Sequence, residues 1–276
     1  CGRALRAPRP PLLLAAALAL LAGAAGAPEV SVEFYYSPSS PKSGPYLNRS
    51  LGALLAAGLP GSAVRVTVLP WPAGAFVPTR PYLPTPADNA SFPDLCALRG
   101  VLGGAAPADS QGLAAGVRFA ACRASAEFRR GQVNATACAE LADLRWDGGQ
   151  GLEACAQGGD AEALLSGGAY GEAITRTMSR TRYASGLPAI FLDGDPLTCP
   201  RADLCDSVWT EAGHEDLERP GSLLAVVCSR LSSAPPACEA AASEAVPADL
   251  EKCENCAEVG RFRWGSDGLA ARPAAG

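Results

Sequence analysis

Val30-Ser-Val-Glu-Phe-Tyr-Tyr36 opens with alternating apolar and polar residues and closes on an apolar run. This predicts a strand that becomes more deeply buried toward its end. Ser37 to Gly44 follows as a Pro/Ser loop. From Pro45 to Gly58, Leu47, Leu51, Leu54 and Leu55 recur at helical spacing until Gly58 and Pro60 stop the pattern. Residues 63–69, Ala-Val-Arg-Val-Thr-Val-Leu, alternate again and predict a second strand. Strand, helix and strand in that order predict a parallel βαβ unit.

On the C-terminal side, Pro70 to Pro93 is proline-rich and reads as a long surface loop. Residues 96–182 are Ala-rich, hold four cysteines and contain few β-branched runs, which predicts a helical insertion interrupted by glycines. Leu187-Pro-Ala-Ile-Phe-Leu192 is a third strand, and Asp193-Gly194 predicts a tight hairpin turn. Residues 199–216 read as an acidic loop and Leu223 to Leu231 as a helix ending near Pro235 and Pro236. From 239 onward the chain turns Ala/Glu-rich and then Gly/Arg-rich, so 241–276 is expected to be a weakly ordered tail.

On the N-terminal side, Arg3, Arg6 and Arg9 precede an apolar run from Leu12 to Leu21 and the small-residue sites Ala22-Gly23-Ala24 and Ala25-Gly26-Ala27. This is the pattern of a secretory signal peptide over residues 1–27. Its apolar run falls short of the ~20 residues a membrane span needs, so no membrane association is expected after cleavage. Removing Cys1 with this segment leaves ten of the 11 cysteines, an even number in a disulfide-permissive route. Spacing makes three local pairs arguable: Cys199 with Cys205, Cys228 with Cys238, and Cys253 with Cys256. Three of the four asparagines, Asn48, Asn89 and Asn134, open an Asn-x-Ser/Thr triplet, which predicts surface glycosylation.

Composition narrows the function classes. Hydrophobic residues at 48% and charged residues at 18% are ordinary for a globular chain and exclude wholesale disorder. The net charge of −5, with no long basic run, gives a nucleic-acid partner no electrostatic support. Lys42 and Lys252 are the two lysines, so 21 of the 23 basic residues are arginines. With so much Ala, Gly and Pro, that reads as compositional bias rather than anion recognition. His214 is the single histidine and sits among acidic residues as a surface group, so neither a histidine-based metal site nor a Ser-His-Asp triad is expected. No Gly-x-Ser-x-Gly elbow is present either, and no cofactor is implied.

A strand, loop, helix, parallel strand, helical insertion and then a strand opening on Leu-Pro is the thioredoxin-like plan. In detail the chain resembles the gamma-interferon-inducible lysosomal thiol reductase family. Tyr35-Tyr36-Ser-Pro-Ser-Ser40-Pro41-Lys42-Ser43 resembles that family's Tyr-Tyr segment running into its Cys-Pro-x-Cys motif. Val64-Arg-Val-Thr-Val-Leu-Pro70-Trp71 resembles the next strand and its Pro-aromatic end, and Cys155-Ala-Gln-Gly158 with Leu164 resembles a turn of the insertion. Leu187-Pro188-Ala-Ile-Phe-Leu-Asp-Gly194 resembles the family's x-Pro strand, and Leu223-Leu-Ala-Val-Val-Cys228 with Cys238 resembles its last helix and cysteine pair. The likeness spans about residues 30–240, so one thioredoxin-like domain over 28–240 is expected, with the insertion at about 96–182. The family's Cys-Gln-His-Gly signature is degenerate here: Cys122-Arg-Ala-Ser occupies its place, with Cys138 as the implied partner.

The decisive departure is at the implied active site, where both redox cysteines fall on serines, Ser40 and Ser43. A thioredoxin-type reductase needs a thiolate whose pKa is lowered at a helix N-terminus, and a second thiol to resolve the mixed disulfide. A serine hydroxyl stays protonated and cannot exchange with a disulfide. Serine does suit a helix start, because its oxygen can accept from the free N–H groups of the first turn. Ser40 and Ser43 are alternative N-caps, and Ser43 is favoured because it keeps Pro45 in the first turn. By resemblance Pro188 is a cis-proline facing this loop, and Leu187, Pro188 and Tyr36 line a groove for polypeptide clients. The expectation is a redox-inactive, peptide-binding pseudoenzyme of the secretory pathway, lysosomal or extracellular. The alternatives are a thiol oxidoreductase acting through Cys253 and Cys256, whose acidic neighbours would raise rather than lower a thiol pKa, and a purely structural extracellular module.

Overall fold

A computed structural model describes residues 29–71, 86–102, 104–149, 151–166, 170, 173–174 and 187–243. The expected signal peptide, most of the expected tail, and Cys253 and Cys256 lie outside the described residues.

The chain is mixed α/β, built on a seven-stranded sheet. The strands are β1 (Val30–Tyr36), β2 (Val64–Pro70), β3 (Ala106–Pro107), β4 (Ala189–Leu192), β5 (Asp195–Thr198), β6 (Cys205–Thr210) and β7 (Gly213–Gly221), in spatial order β3-β2-β1-β4-β5-β6-β7. β1 and β2 run parallel with Val30 opposite Val64 and Tyr36 opposite Pro70. Every other neighbouring pair is antiparallel. Asp193 and Gly194, at φ of 53° and 95°, make the expected two-residue turn between β4 and β5.

The crossover from β1 to β2 is one continuous helix, α1, made of Ser43–Pro45, a π-helical stretch Tyr46–Leu51 and Gly52–Ala56. Leu47, Leu51 and Leu54 are fully buried. At about 1.5–3 kcal/mol per buried leucine, their burial outweighs the ~1 kcal/mol that Gly52 costs inside a helix. The helices that follow are α2 (Phe92–Leu98), α3 (Gln111–Arg123), α4 (Ala126–Arg129), α5 (Ala135–Leu141), α6 (Leu152–Gln157), α7 (Gly159–Ser166), α8 (Leu223–Arg230) and α9 (Pro236–Ser243).

Period-two patterning divides the core. Val30, Val32, Phe34 and Tyr36 of β1 join Val64, Val66 and Val68 in a cluster with the leucines of α1, Leu113 and Val117 of α3, and Val226 and Val227 of α8. Tyr35, Leu69 and Phe191 belong to a second cluster with Leu95, Tyr170 and Ile174. A third cluster, with Phe119, Ala139 and Leu152, fills the helical insertion around its cysteines. Both faces of β1 are therefore covered, which explains the apolar run at its end.

Four disulfides are formed. Cys199–Cys205, Cys228–Cys238 and Cys122–Cys138 match the expected pairs. The fourth, Cys96–Cys155, joins α2 to α6 across 59 residues, a separation that local spacing could not single out. Among the described residues no helix is long and apolar enough to cross a membrane.

Three expectations are corrected. Residues 199–216 are not a loop but contribute the β6–β7 hairpin. β7, Gly-His-Glu-Asp-Leu-Glu-Arg-Pro-Gly, is a largely exposed edge strand held by backbone pairing, so it carries almost no hydrophobic signal. Within the expected loop 70–93, Pro86–Ser91 is a 3-10 turn leading into α2, whose Pro93 sits in the first helical turn where its missing N–H costs nothing. The start of the expected tail is ordered as the end of α9, tied back to α8 by Cys228–Cys238.

Candidate functional site

β1 delivers its C-terminal end, Tyr36, to the loop 37–42 and the start of α1. β4 enters the sheet antiparallel to β1, with Ala189 opposite Tyr35. The pairing ends there, and Pro188 is the residue that leads into β4 beside the Tyr36 end of β1. The serine loop and the Leu187–Pro188 segment therefore share one end of the sheet. The Leu187–Pro188 peptide is cis, and both residues are half-buried, Leu187 packing against the second cluster.

The loop is two successive turns: Ser40 N–H donates to the Ser37 carbonyl at 3.1 Å, and Ser43 N–H donates to the Ser40 carbonyl at 3.1 Å. Ser40 is half-buried and its Oγ accepts from the Lys42 N–H at 3.3 Å. Ser43 is fully buried, and its Oγ has no hydrogen-bond partner among the described residues. This corrects the expectation that Ser43 caps the helix. An N-cap needs extended backbone, but Lys42, the residue before it, is already helical at φ −74° and ψ −26°. Ser110, Ser125, Asn134 and Ser222 do have extended backbone, and each accepts from an N–H three residues on. Pro45 lies in the first turn as expected, where no N–H is required.

The Gly44 end of the loop abuts the C-terminal end of α3, and the Tyr36 end is tied to Asp94 of α2 and through it to Arg123 of α3. A Cβ on Gly44 would lie 2.6 Å from the Ala124 carbonyl oxygen, so only glycine allows that approach. Tyr36 is fully buried and its hydroxyl donates to Asp94 Oδ2 at 3.1 Å. Arg123 Nη1 donates to Asp94 Oδ1, and its Nη2 donates to the Ala90 carbonyl at 3.2 Å. The Arg123 guanidinium also lies 5.8 Å and 5.6 Å from the Phe119 and Phe128 ring centres. Tyr36 is thus a core residue with its hydroxyl engaged, not a groove-lining contact, which corrects its expected substrate-binding role. Period two explains the placement, because Tyr36 shares a face with Val32 and Phe34.

Burial holds the Asp94 carboxyl above the usual carboxylate range, while Arg123 and the Tyr36 hydroxyl pull it the other way without cancelling the effect. The Tyr36 phenol is pushed well above its ordinary value, first by burial and then by the Asp94 charge. Neither Asp94 nor Arg123 was singled out in the sequence. Asp94 is one carboxylate in a short Pro-containing segment, and Arg123 is one of 21 arginines.

The remaining candidates fall elsewhere. Asn48, Asn89 and Asn134 are all exposed. His214 lies on β7 opposite Trp209, with the two ring centres 5.0 Å apart and its Nδ1 3.9 Å from Asp216. No group of three metal-ligating side chains occurs among the described residues. All eight cysteines among the described residues are paired in disulfides, so Ser40 and Ser43 offer hydroxyls where the expected redox pair would stand, and no described thiol lies beside them. No protein-family model matches the chain, and no curated protein matches it significantly.

Proposed function

We propose that this chain is a redox-inactive relative of the gamma-interferon-inducible lysosomal thiol reductases, a secretory-route glycoprotein that binds extended polypeptide without reducing it. The observation that carries the reading is the asymmetry of Ser40 and Ser43. The first is half-exposed at the mouth of a helix-opening turn, and the second, three residues on, is fully buried with an unpartnered hydroxyl. A dithiol pair needs that arrangement, with an accessible attacking sulfur and a sheltered resolving one. A buried hydroxyl without a partner is costly, whereas a thiol, a weak donor, loses little there. The site suits sulfur better than the oxygen it holds.

The sheet order supports the same reading. β2-β1-β4-β5, with one parallel pair followed by antiparallel neighbours, is the strand order of the thioredoxin-like plan. Leu187 and Pro188, half-buried at the same end, are the surface a client backbone would meet. Four disulfides fit an oxidising compartment.

The test is a fluorescent extended peptide carrying an internal disulfide, offered to the full chain with an external dithiol reductant at acidic and neutral pH. The expected result is binding that weakens in Leu187→Asp, with no reduction above the rate of the reductant alone. Turnover by the unmodified chain refutes the proposal. If that turnover vanishes in Cys253→Ser, the chemistry belongs to Cys253 and Cys256.

A further inference from the structure

Beyond the serine site, a groove of about 980 Å³ runs between α1, the 201–204 turn, the end of β7, α8 and α9. Its charged lining is Arg49, Arg201 and Arg219 against one carboxylate, Asp203. Arg201 pairs with Asp203 at 3.1 Å, while Arg49 and Arg219 are exposed and form no ion pair with described residues. A positive groove on a chain of net charge −5 calls for an acidic occupant. The same end of the chain supplies one. Ala241 of α9 lines the groove, and the segment 244–258 that follows carries Glu244, Asp249, Glu251, Glu254 and Glu258 against one basic residue, Lys252, with Arg261, Arg263 and Arg272 lying further on.

We infer that the acidic segment 244–258 docks back into this arginine-lined groove as a tethered ligand of its own chain. Seven residues of extended backbone reach roughly 20 Å, so Asp249 and Glu251 are within range of the groove without any rearrangement of α9. Each exposed arginine–carboxylate pair is weak by itself. A short tether supplies an effective concentration in the millimolar range, which lets several weak pairs act together. Val246 and Leu250 can meet the apolar wall formed by Leu224. The docking is electrostatic and must therefore fail in salt.

The experiment is hydrogen exchange on the full chain, following the amides of residues 246–256. At low ionic strength these amides should exchange roughly tenfold or more slowly than in a free peptide of the same sequence. Protection should be lost in about 0.5 M NaCl, where screening acts over only a few ångströms. Arg49→Glu with Arg219→Glu should abolish it at low salt. Adding Asp249→Arg, Glu251→Arg and Glu254→Arg to that background should restore it, a rescue that a merely unfolded variant cannot give. Free-peptide exchange in the unmodified chain at low salt overturns the inference, as does protection unchanged by Arg49→Glu with Arg219→Glu. Protection that rises with protein concentration assigns the groove to a second copy and overturns it equally.

Discussion

Ser43→Ala should stabilise this protein, although it removes a serine from the start of a helix. The Ser43 hydroxyl is fully buried and unpartnered among the described residues. Such a group costs about 1–3 kcal/mol of desolvation. Alanine removes that cost and leaves a void the size of one oxygen, worth roughly 0.3 kcal/mol at ~24 cal/mol per Å³. The net gain is about 1–2 kcal/mol, or a rise in Tm of roughly 2–8 °C for a domain of this size. Urea denaturation with the disulfides intact measures it, and an unchanged slope would show that only stability moved. Ser222→Ala is the internal control, because the Ser222 hydroxyl accepts from the Ala225 N–H at 3.2 Å as a true cap. That change should cost about 1 kcal/mol. Two serines at two helix starts should thus respond with opposite signs. A loss near 1 kcal/mol at Ser43 as well would mean that its hydroxyl caps α1, and the reasoning would fail.

Arg123→Met leaves the Asp94 carboxylate buried without its partner and should cost about 3–5 kcal/mol at neutral pH, read by chemical denaturation. The native state holds the Asp94 proton more tightly than the unfolded chain does, so its contribution to stability is fully present below the unfolded pKa and is lost as pH rises through the folded one. Because losing Arg123 raises the folded pKa further, the Arg123→Met penalty should shrink on acidification; a penalty independent of pH would refute the shift. Gly44→Ala pushes a methyl group into the Ala124 carbonyl and should destabilise by about 1–3 kcal/mol, with a null effect in thermal melting counting against that contact. Removing the Cys96–Cys155 bridge by double alanine substitution opens a loop of 59 residues and should cost about 4 kcal/mol in the chain-entropy account, measured as a shift in the denaturation midpoint.

What was legible in the sequence is what periodicity encodes. The alternation in Val30–Tyr36 and Val64–Pro70 and the leucines of α1 placed the parallel unit, because each pattern faces a buried cluster. The Asp193-Gly194 turn was legible because few residues accept positive φ. The β6–β7 hairpin was not, since an exposed edge strand is held by backbone bonds that any side chain permits. Cys96–Cys155 depends on how the insertion folds back on itself, which spacing does not encode. At the site, Ser40 and Ser43 were found by resemblance, but the network that holds their loop was missed. Asp94 and Arg123 lie 29 residues apart and acquire meaning only through packing. The role of Tyr36 could have been read, because period two already puts it on the core face with Val32 and Phe34.

The most direct measurement compares disulfide reduction by the unmodified chain with that of Ser40→Cys, Ser43→Cys. The Ser43 N–H to Ser40 carbonyl bond closes the turn, which brings the two Cα atoms within the ~7 Å that a disulfide requires. The account predicts no turnover in the unmodified chain and catalytic turnover in the variant. Turnover in the unmodified chain, or a folded variant that oxidises no pair and reduces nothing, would contradict it.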